Sequence, residues 1–188
     1  GADDPVLHGW PIRTVSDADL PDDERDRLLD DADVIVDGVL GTGVRGAARA
    51  RQAAAIDAMN RSSTPVVALD MPSGADATTG DVPGSTVHAA LTISFGAPKT
   101  GALLHPARGY IGRHVTVEIG FPPLNDSDAS ALVVTPSWAR RHLPVRDTDT
   151  HKNRVGRLLI VGGGVGMAGA VILAARAAFH AGAGLVQI

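Results

Sequence analysis

Residues 33–46 have the sequence DVIVDGVLGTGVRG, an apolar run followed at once by a glycine-rich loop. Residues 33–40 have the length of a strand, and their apolar content predicts one that is buried on both faces of a sheet. Residues 47–60 are rich in alanine, with apolar side chains spaced for one face of a helix. Residues 65–70 form a second apolar run, which ends in aspartate. The order strand, loop, helix, strand predicts a βαβ unit in a parallel sheet.

The composition favours the same α/β class. Of the 188 residues 44% are hydrophobic but only 3% aromatic, so small aliphatic side chains must fill the interior, as they do where helices pack on a parallel sheet. The net charge is −4 and the basic residues are scattered, which argues against a nucleic-acid partner. No apolar stretch approaches the roughly 20 residues that span a bilayer, and no cysteine is present. We expect a cytoplasmic enzyme without a membrane partner, and the oligomeric state, a homo-oligomer included, stays open.

The rest of the chain predicts two more strands and then a domain boundary. Residues 90–95 and 114–119 are predicted strands, and the second alternates as edge strands do. Residues 122–130 are mostly Pro, Asn, Asp and Ser, which is typical of a linker. The predicted divisions are a first domain over 1–124, a linker over 125–134 and a second domain over 135–188.

The second domain repeats the order of elements found in the first. Thr135 as N-cap and Pro136 at the first helical position predict a short helix. A strand over 157–161, a glycine loop over 162–169 and an alanine-rich helix to His180 follow. The Gly-Leu-Val run before the C-terminus predicts the start of another strand. Because the chain begins without Met and stops just after this run, we expect both ends to be cut.

Two carboxylates are expected at one edge of the sheet. Asp37 lies near the end of the first predicted strand and Asp70 ends the second. The carboxyl ends of parallel strands meet at the edge where ligands bind in open α/β sheets. Each Asp alone could equally cap a turn, but the pairing favours a functional site. Ser73 would add an oxygen ligand for a hard monovalent cation, an interpretation that residue chemistry alone leaves open.

Two glycine loops match the dinucleotide-binding fingerprint. Residues 41–46 and 164–169 each have the pattern GxGxxG after a predicted strand and before a predicted helix. Glycines let a loop approach a ligand closely, and the helix N-terminus offers N–H groups to an anion. The alternative is a tight βα turn without a ligand, because chance matches are expected among 22 glycines.

Lys99 follows the third predicted strand, in a loop where its ammonium could reach a phosphate or polarise an oxygen. A plain surface lysine is the interpretation that the residues alone favour. His105 and His151 are interpreted as structural, because their separation does not form the paired spacing of a metal site.

Three motifs, in order and spacing, resemble the NAD(P)HX epimerase domain of the YjeF family. They are DGVLGTG at 37–43, DMPSGAD at 70–76 and TISFGAPK at 92–99. HKNRVGR at 151–157 and MAGA at 167–170 resemble the opening of the ADP-dependent NAD(P)HX dehydratase domain, which follows the epimerase in the bifunctional bacterial enzyme. The resemblance covers nearly the whole chain from Val15. It implies a partial Rossmann-like, mostly parallel sheet followed by the opening of a ribokinase-like α/β domain.

The resemblance implies repair of hydrated NADH and NADPH. The first domain would interconvert the R and S epimers as an isomerase, and the second would remove water from the S form as a lyase that uses ADP or ATP. Asp37 and Ser73 would help to bind a potassium ion. Asp70 is also our candidate for proton transfer, because a carboxylate beside the ring can move protons during epimerisation. The candidate substrate-binding residues are Gly41, Thr42, Gly43, Val44, Arg45, Gly46, Ala47, Asp70, Lys99, Gly169 and Ala170.

Two other functions compete with this one. An ordinary Rossmann oxidoreductase would place residues 41–46 on a pyrophosphate and Asp70 on a ribose, and it would prefer intact NADH to its hydrate. A non-catalytic nucleotide-binding module would bind without turnover. Because both ends are expected to be cut, we also expect this chain to be a fragment that is inactive alone.

Overall fold

The computed structural model describes residues 15, 20–43, 45–122, 129, 131–145 and 148–188. The chain divides into two compact units, residues 1–132 and 133–188. None of the helices in the described ranges combines the length and the apolar content that a bilayer crossing requires.

The first unit is a parallel α/β structure. Its elements are helix α1 (Asp22–Asp30), strand β1 (Ile35–Asp37), helix α2 (Ala50–Arg61) and strands β2 (Val66–Leu69), β3 (Leu91–Phe95) and β4 (Arg113–Val117). The four strands pair in the order β1-β2-β3-β4, and every pair is parallel. The predicted α/β class with a parallel, Rossmann-like sheet is confirmed, and β4 lies at the edge of the described sheet, as its alternation predicts. Two short 3-10 turns, Thr100–Leu103 and Ala107–Gly109, lie between β3 and β4.

Two details of the first βαβ unit differ from the sequence prediction. Burial of β1 on both faces is wrong, because Ile35 and Asp37 are buried whereas Val36 is 59% exposed. Side chains alternate between the two faces of a strand, so Val36 points away from the face on which Ile35 packs against α2. Helix α2 begins at Ala50 rather than at residue 47. Gly46 has a φ of 78° and Arg49 is extended with a ψ of 159°, so the chain between them cannot continue a helix backwards.

The main core forms where α2 packs on the sheet. Ile56 and Met59 on α2 are buried together with Ile35 of β1 and with Val66 and Ala68 of β2. Full burial of an aliphatic side chain of this size stabilises the fold by about 1.5–3 kcal/mol. A second cluster contains Met71, Ala77, Ala102 and Ile111. This cluster fixes the turn after β2 against the 3-10 turn after β3, which positions the loops at the carboxyl ends of the strands.

The second unit contains helix α3 (Pro136–His142), strand β5 (Arg157–Leu159), helix α4 (Ala168–Ala181) and strand β6 (Leu185–Gln187). The predicted cap of α3 is confirmed, since Thr135 Oγ1 accepts a hydrogen bond from Trp138 N–H at 3.1 Å. The predicted C-terminal strand is β6, which pairs in parallel with β5. The predicted extent of the glycine loop is wrong at its end. Helix α4 begins at Ala168, so Gly169 and Ala170 lie in its exposed first turn; the last positive φ of the loop is at Gly166, and the alanine-rich residues beyond it favour helix.

Candidate functional site

A buried carboxylate connects the end of β1 to the turn that follows β2. Asp37 and Ser73 are both only 1% exposed. The Ser73 backbone N–H donates to Asp37 Oδ2 at 2.8 Å, and the Ser73 hydroxyl donates to Oδ1 at 2.6 Å. The N–H of Val39 donates to Oδ1 at 3.2 Å, and the N–H of Leu40 donates to Ser73 Oγ at 2.9 Å. The two predicted cation ligands are therefore in direct contact.

The chemistry of these oxygens fits a hard monovalent cation. Buried charges in proteins are normally paired or bound to a metal, yet no Lys, Arg or His within the described ranges forms an ion pair with Asp37. Each carboxylate oxygen has two lone pairs, and Oδ2 uses one of them. No three acidic, His or Cys side chains of the described chain gather as a multidentate metal site. A small oxygen site of this kind suits potassium better than a transition metal.

Asp70 lies one residue beyond β2 and has a φ of 68°, the one positive value among the described non-glycine residues. Its backbone N–H donates to Ile93 O at 2.8 Å, and its carbonyl oxygen accepts from Ser94 Oγ at 3.0 Å. Oδ1 accepts from Phe95 N–H at 3.1 Å and pairs with Lys99 Nζ at 2.6 Å. Strained backbone of this kind persists only where the surroundings determine it, and it clusters at functional sites.

Lys99 is not a plain surface lysine, and that interpretation of the sequence is wrong. Besides its ion pair with Asp70, Nζ donates to Phe95 O at 2.9 Å and to Ala97 O at 3.2 Å. The loop after β3 curls back, which brings the ammonium to the end of β2. Asp37, Asp70 and Lys99 thus lie at the same edge of the sheet.

The first glycine loop faces the turn after β2 across a small cleft. The cleft is lined by Leu40, Gly41, Gly46, Met71, Pro72, Gly74, Ala75 and Asp76. Of the candidate residues in the loop, Thr42, Gly43 and Ala47 are exposed, and Val44 lies outside the described residues. Asp37, Ser73 and Asp70 are not among the lining residues of the cleft. The loop and the strand-end carboxylates therefore share an edge of the sheet, but not this cleft.

The side chain of Arg45 is 74% exposed, and its Nη1 lies 3.8 Å from Oδ2 of Asp76, which lines the cleft. The pKa of Asp76 is held below its usual value, first by the backbone N–H of Thr79 and then by that of Thr78, with a smaller contribution from Arg45. Asp76 is therefore an anion at neutral pH. Arg45 is thus a largely exposed cation, and its ion pair with Asp76 is long.

Sequence reasoning missed His114, which lies on β4. Its Nε2 is 2.8 Å from Ser94 Oγ, and Ser94 in turn donates to the carbonyl oxygen of Asp70. Burial lowers the pKa of His114 below 6.5, and the positive charges of Arg108 and Lys99 lower it further. A polar residue at the start of a predicted edge strand was the available signal, because β4 pairs directly with the strand that carries Ser94.

The second glycine loop belongs to the second unit. Gly162, Gly163 and Gly164 line a small pocket together with Ala168, Val171, Ile172 and Ile188. Gly169 and Ala170 do not line that pocket. The structure thus places the glycine loop, but not these two candidates, against the pocket.

Comparison with known proteins gives one family and a set of relatives. Residues 11–101 match the family of the YjeF-related protein N-terminus. The chain is 41% identical over 157 residues to the bifunctional NAD(P)H-hydrate repair enzyme Nnr of Moorella thermoacetica, an alignment that covers 82% of the chain and 30% of that relative. The enzymes of the same name from Pyrobaculum aerophilum and Escherichia coli are 43% and 39% identical over 157 residues, which cover 84% and 83% of the chain. In each case the chain spans 30% of the length of the relative.

Proposed function

Since residues 11–101 belong to the family of the YjeF-related protein N-terminus, we propose that the first unit is an NAD(P)HX epimerase. It interconverts the R and S forms of hydrated NADH and NADPH. The names of the relatives, NAD(P)H-hydrate repair enzymes, support this substrate class. The observation that carries the proposal is Asp70, a carboxylate at the carboxyl edge of the sheet that has a positive φ and an ion pair with Lys99.

Asp70 is the proposed acid and base. The hydrated carbon bears a hydroxyl group and the ring nitrogen, so it inverts when the hydroxyl proton is removed, the carbon–nitrogen bond opens to an aldehyde with a proton delivered to nitrogen, and the ring recloses on the other face with the reverse proton transfers. A positioned carboxylate can carry that proton in both directions. Oδ1 is engaged by Phe95 N–H and by the Lys99 ammonium. Within the described chain no donor reaches Oδ2, so this oxygen is available to take the proton and give it back.

Asp37 and Ser73 are the proposed potassium ligands. When bound, the ion supplies a fixed positive charge at the edge where an anionic substrate approaches. Asp37 provides the charge that attracts the cation, and the bonds from Ser73 fix the orientation of the carboxylate. The buried position of both residues excludes the water that would compete for the ion.

The first glycine loop is the proposed binding surface for the nucleotide part of the substrate. Gly41 and Gly46 border the cleft and leave room for close approach of a phosphate. Arg45 supplies an exposed guanidinium that can form charge-assisted hydrogen bonds to phosphate oxygens.

A Rossmann oxidoreductase is less well supported by this geometry. Helix α2 starts at Ala50, beyond residues 47–49, rather than directly behind the glycine loop. The N–H of its N-cap residue Arg49 is already satisfied by the side chain of Gln52 at 3.1 Å. One oxygen of Asp70 is taken by Lys99, whereas a ribose-binding carboxylate presents its oxygens to the sugar.

For the second unit we propose the opening of an ADP- or ATP-dependent dehydratase that returns the S epimer to NAD(P)H. An alignment that covers 82% of 188 residues is longer than the first unit, which ends at Leu132, so the similarity to the repair enzyme of Moorella thermoacetica extends into the second unit. The parallel pair β5 and β6, with a glycine loop before α4, is compatible with a nucleotide-binding α/β domain.

The proposal is tested by following the approach of the R and S forms of hydrated NADPH to equilibrium after one epimer has been removed. The full-length protein should accelerate this exchange in potassium chloride and lose most of the acceleration in choline chloride. A matched reaction without protein gives the uncatalysed background. No acceleration by the wild-type protein, or tighter binding of intact NADPH than of its hydrate, would overturn the epimerase assignment in favour of a dehydrogenase or a binding module.

A further inference from the structure

The ammonium group of Lys99 is fully engaged by the protein itself. Nζ pairs with Asp70 Oδ1 at 2.6 Å and donates to the carbonyl oxygens of Phe95 at 2.9 Å and Ala97 at 3.2 Å. A lysine ammonium has three donors and no acceptor. All three donors are thus used, and none remains for a phosphate or a hydroxyl group of a substrate.

The backbone that carries Lys99 is also held on both sides. Lys99 is the residue before the 3-10 turn Thr100–Leu103, whose Gly101 N–H donates to Ala77 O at 2.8 Å. Gly101 is buried, and a Cβ at this position would overlap the carbonyl oxygen of Asp76. On the other side, Gly96 turns the chain with a φ of 72°. Anchoring at both ends reduces the entropy that a long lysine side chain loses when its ammonium is fixed.

The consequence for Asp70 is that its two carboxylate oxygens are no longer equivalent. Oδ1 is bound by Lys99 and by Phe95 N–H, whereas Oδ2 has no donor among the described residues. We propose that Lys99 is a positioning residue, which fixes Oδ1 of Asp70 so that Oδ2 exchanges the proton, and that it forms no bond to the substrate. This inference rests on the proposed epimerase function for its kinetic part, and it replaces the expectation that Lys99 lines the substrate.

Kinetics of the full-length protein separate positioning from substrate binding. Misplacing a reacting group by about 1 Å costs about 100-fold in rate, so Lys99→Met should lower kcat by about that factor. KM should change by less than about threefold, since uniform binding is not lost. Lys99→Arg should stay impaired, because a planar guanidinium cannot direct its donors at the same three acceptors. Lys152→Met is the matched control and should leave both constants unchanged.

The opposite pattern would overturn the inference. A Lys99→Met variant with unchanged kcat and a raised KM would identify Lys99 as a substrate ligand. Nearly full activity of Lys99→Arg would do the same, because arginine replaces lysine well where only a phosphate must be bound.

A second measurement does not depend on epimerase activity. The 188-residue chain contains two lysines, Lys99 and Lys152, so nitrogen-15 labelling of lysine side chains gives two ammonium signals in NMR spectra. The Lys99 signal should be protected from rapid exchange and should move in Asp70→Asn, while the Lys152 signal should not move. Two equally exposed signals that are both insensitive to Asp70→Asn would refute the pairing. Inactivity of the wild-type protein together with a responsive Lys99 signal would instead refute the epimerase assignment and leave the orientation of Asp70 by Lys99 intact.

Discussion

Removing the carboxylate of Asp37 should be among the most destabilising single changes in the first unit. Asp37→Ala deletes the acceptor of two short hydrogen bonds from Ser73, at 2.8 and 2.6 Å, and of a longer one from Val39 at 3.2 Å. A hydrogen bond to a charged group contributes about 1.5–3 kcal/mol, but relief from burying the charge offsets part of the sum and bonds to one acceptor are not additive. We therefore expect a loss of about 3–4 kcal/mol, a large share of the about 5–15 kcal/mol that stabilises a typical domain.

The measurement must report on the first unit alone. Hydrogen exchange of the β2 amides as a function of urea gives the free energy of unfolding of that sheet. Asp37→Asn should lose less than Asp37→Ala, since the amide keeps one acceptor oxygen. Asp57→Ala on the exposed face of α2 is the control and should change the stability by less than about 0.5 kcal/mol.

Potassium provides a second readout of the same perturbation. Binding to the folded state alone stabilises it by RT ln(1 + [K⁺]/Kd). The wild-type protein should therefore be more stable in potassium chloride than in choline chloride, and both Asp37 variants should lose this difference. If Asp37→Ala lowers the free energy of unfolding by less than about 1 kcal/mol, or by no more than the Asp57→Ala control, the hydrogen bonds of Asp37 contribute little beyond an ordinary surface bond.

Four further outcomes are expected. Asp70→Asn should keep the fold and lower the rate of epimer exchange by about 100-fold or more, since an amide cannot accept the proton at neutral pH; nearly normal exchange by chromatography would remove Asp70 from the acid/base role. The pKa of His114 is lower in the folded state than its usual value of 6.5, so the folded state binds fewer protons than the unfolded state. The contribution of His114 to the stability of the folded state is therefore complete above pH 6.5 and is lost as the pH drops through the folded-state pKa of His114. Urea midpoints between about pH 7.5 and 5 should thus fall less steeply in His114→Gln, and an unchanged slope would contradict this. Gly74→Ala should cost about 2–4 kcal/mol, because the φ is 97° and the new Cβ would overlap a backbone carbonyl oxygen; a thermal midpoint equal to that of the wild type would contradict the clash. Residues 157–188 should exchange their amides rapidly in the isolated chain, because only Val171 and Ala175 are buried there; strong protection in a monomer would show that the second unit closes its own core.

The sequence predicted the features that depend on local pattern. The apolar runs that end at Asp37 and Asp70 placed both carboxylates at one edge, because strand ends in a parallel sheet follow from chain direction alone. The Thr135 cap was equally predictable, since it depends on a hydroxyl and a backbone N–H three residues apart.

What escaped prediction depends on contacts between distant residues. Helix α1 has no fully buried side chain and packs a partly buried Leu29 on the core, so its apolar periodicity is too weak to detect. Its acidic first turn was the one available signal, because negative charge stabilises a helix N-terminus. The role of Lys99 was hidden because the residue type does not reveal that the loop after β3 folds back onto Asp70.

The matching order of strands along the chain and across the sheet has a consequence for synthesis on the ribosome. Each described strand adds to an edge that its predecessor has already formed, so no strand needs to be inserted between two earlier ones. The contacts of the polar residues at the strand ends can form in the same order along the chain. Asp37 is translated before its hydrogen-bond partner Ser73, and Asp70 is translated before its ion-pair partner Lys99. The nascent chain can therefore complete the Asp37–Ser73 contact, the proposed cation site, before Lys99, the residue proposed to orient Asp70, has been translated.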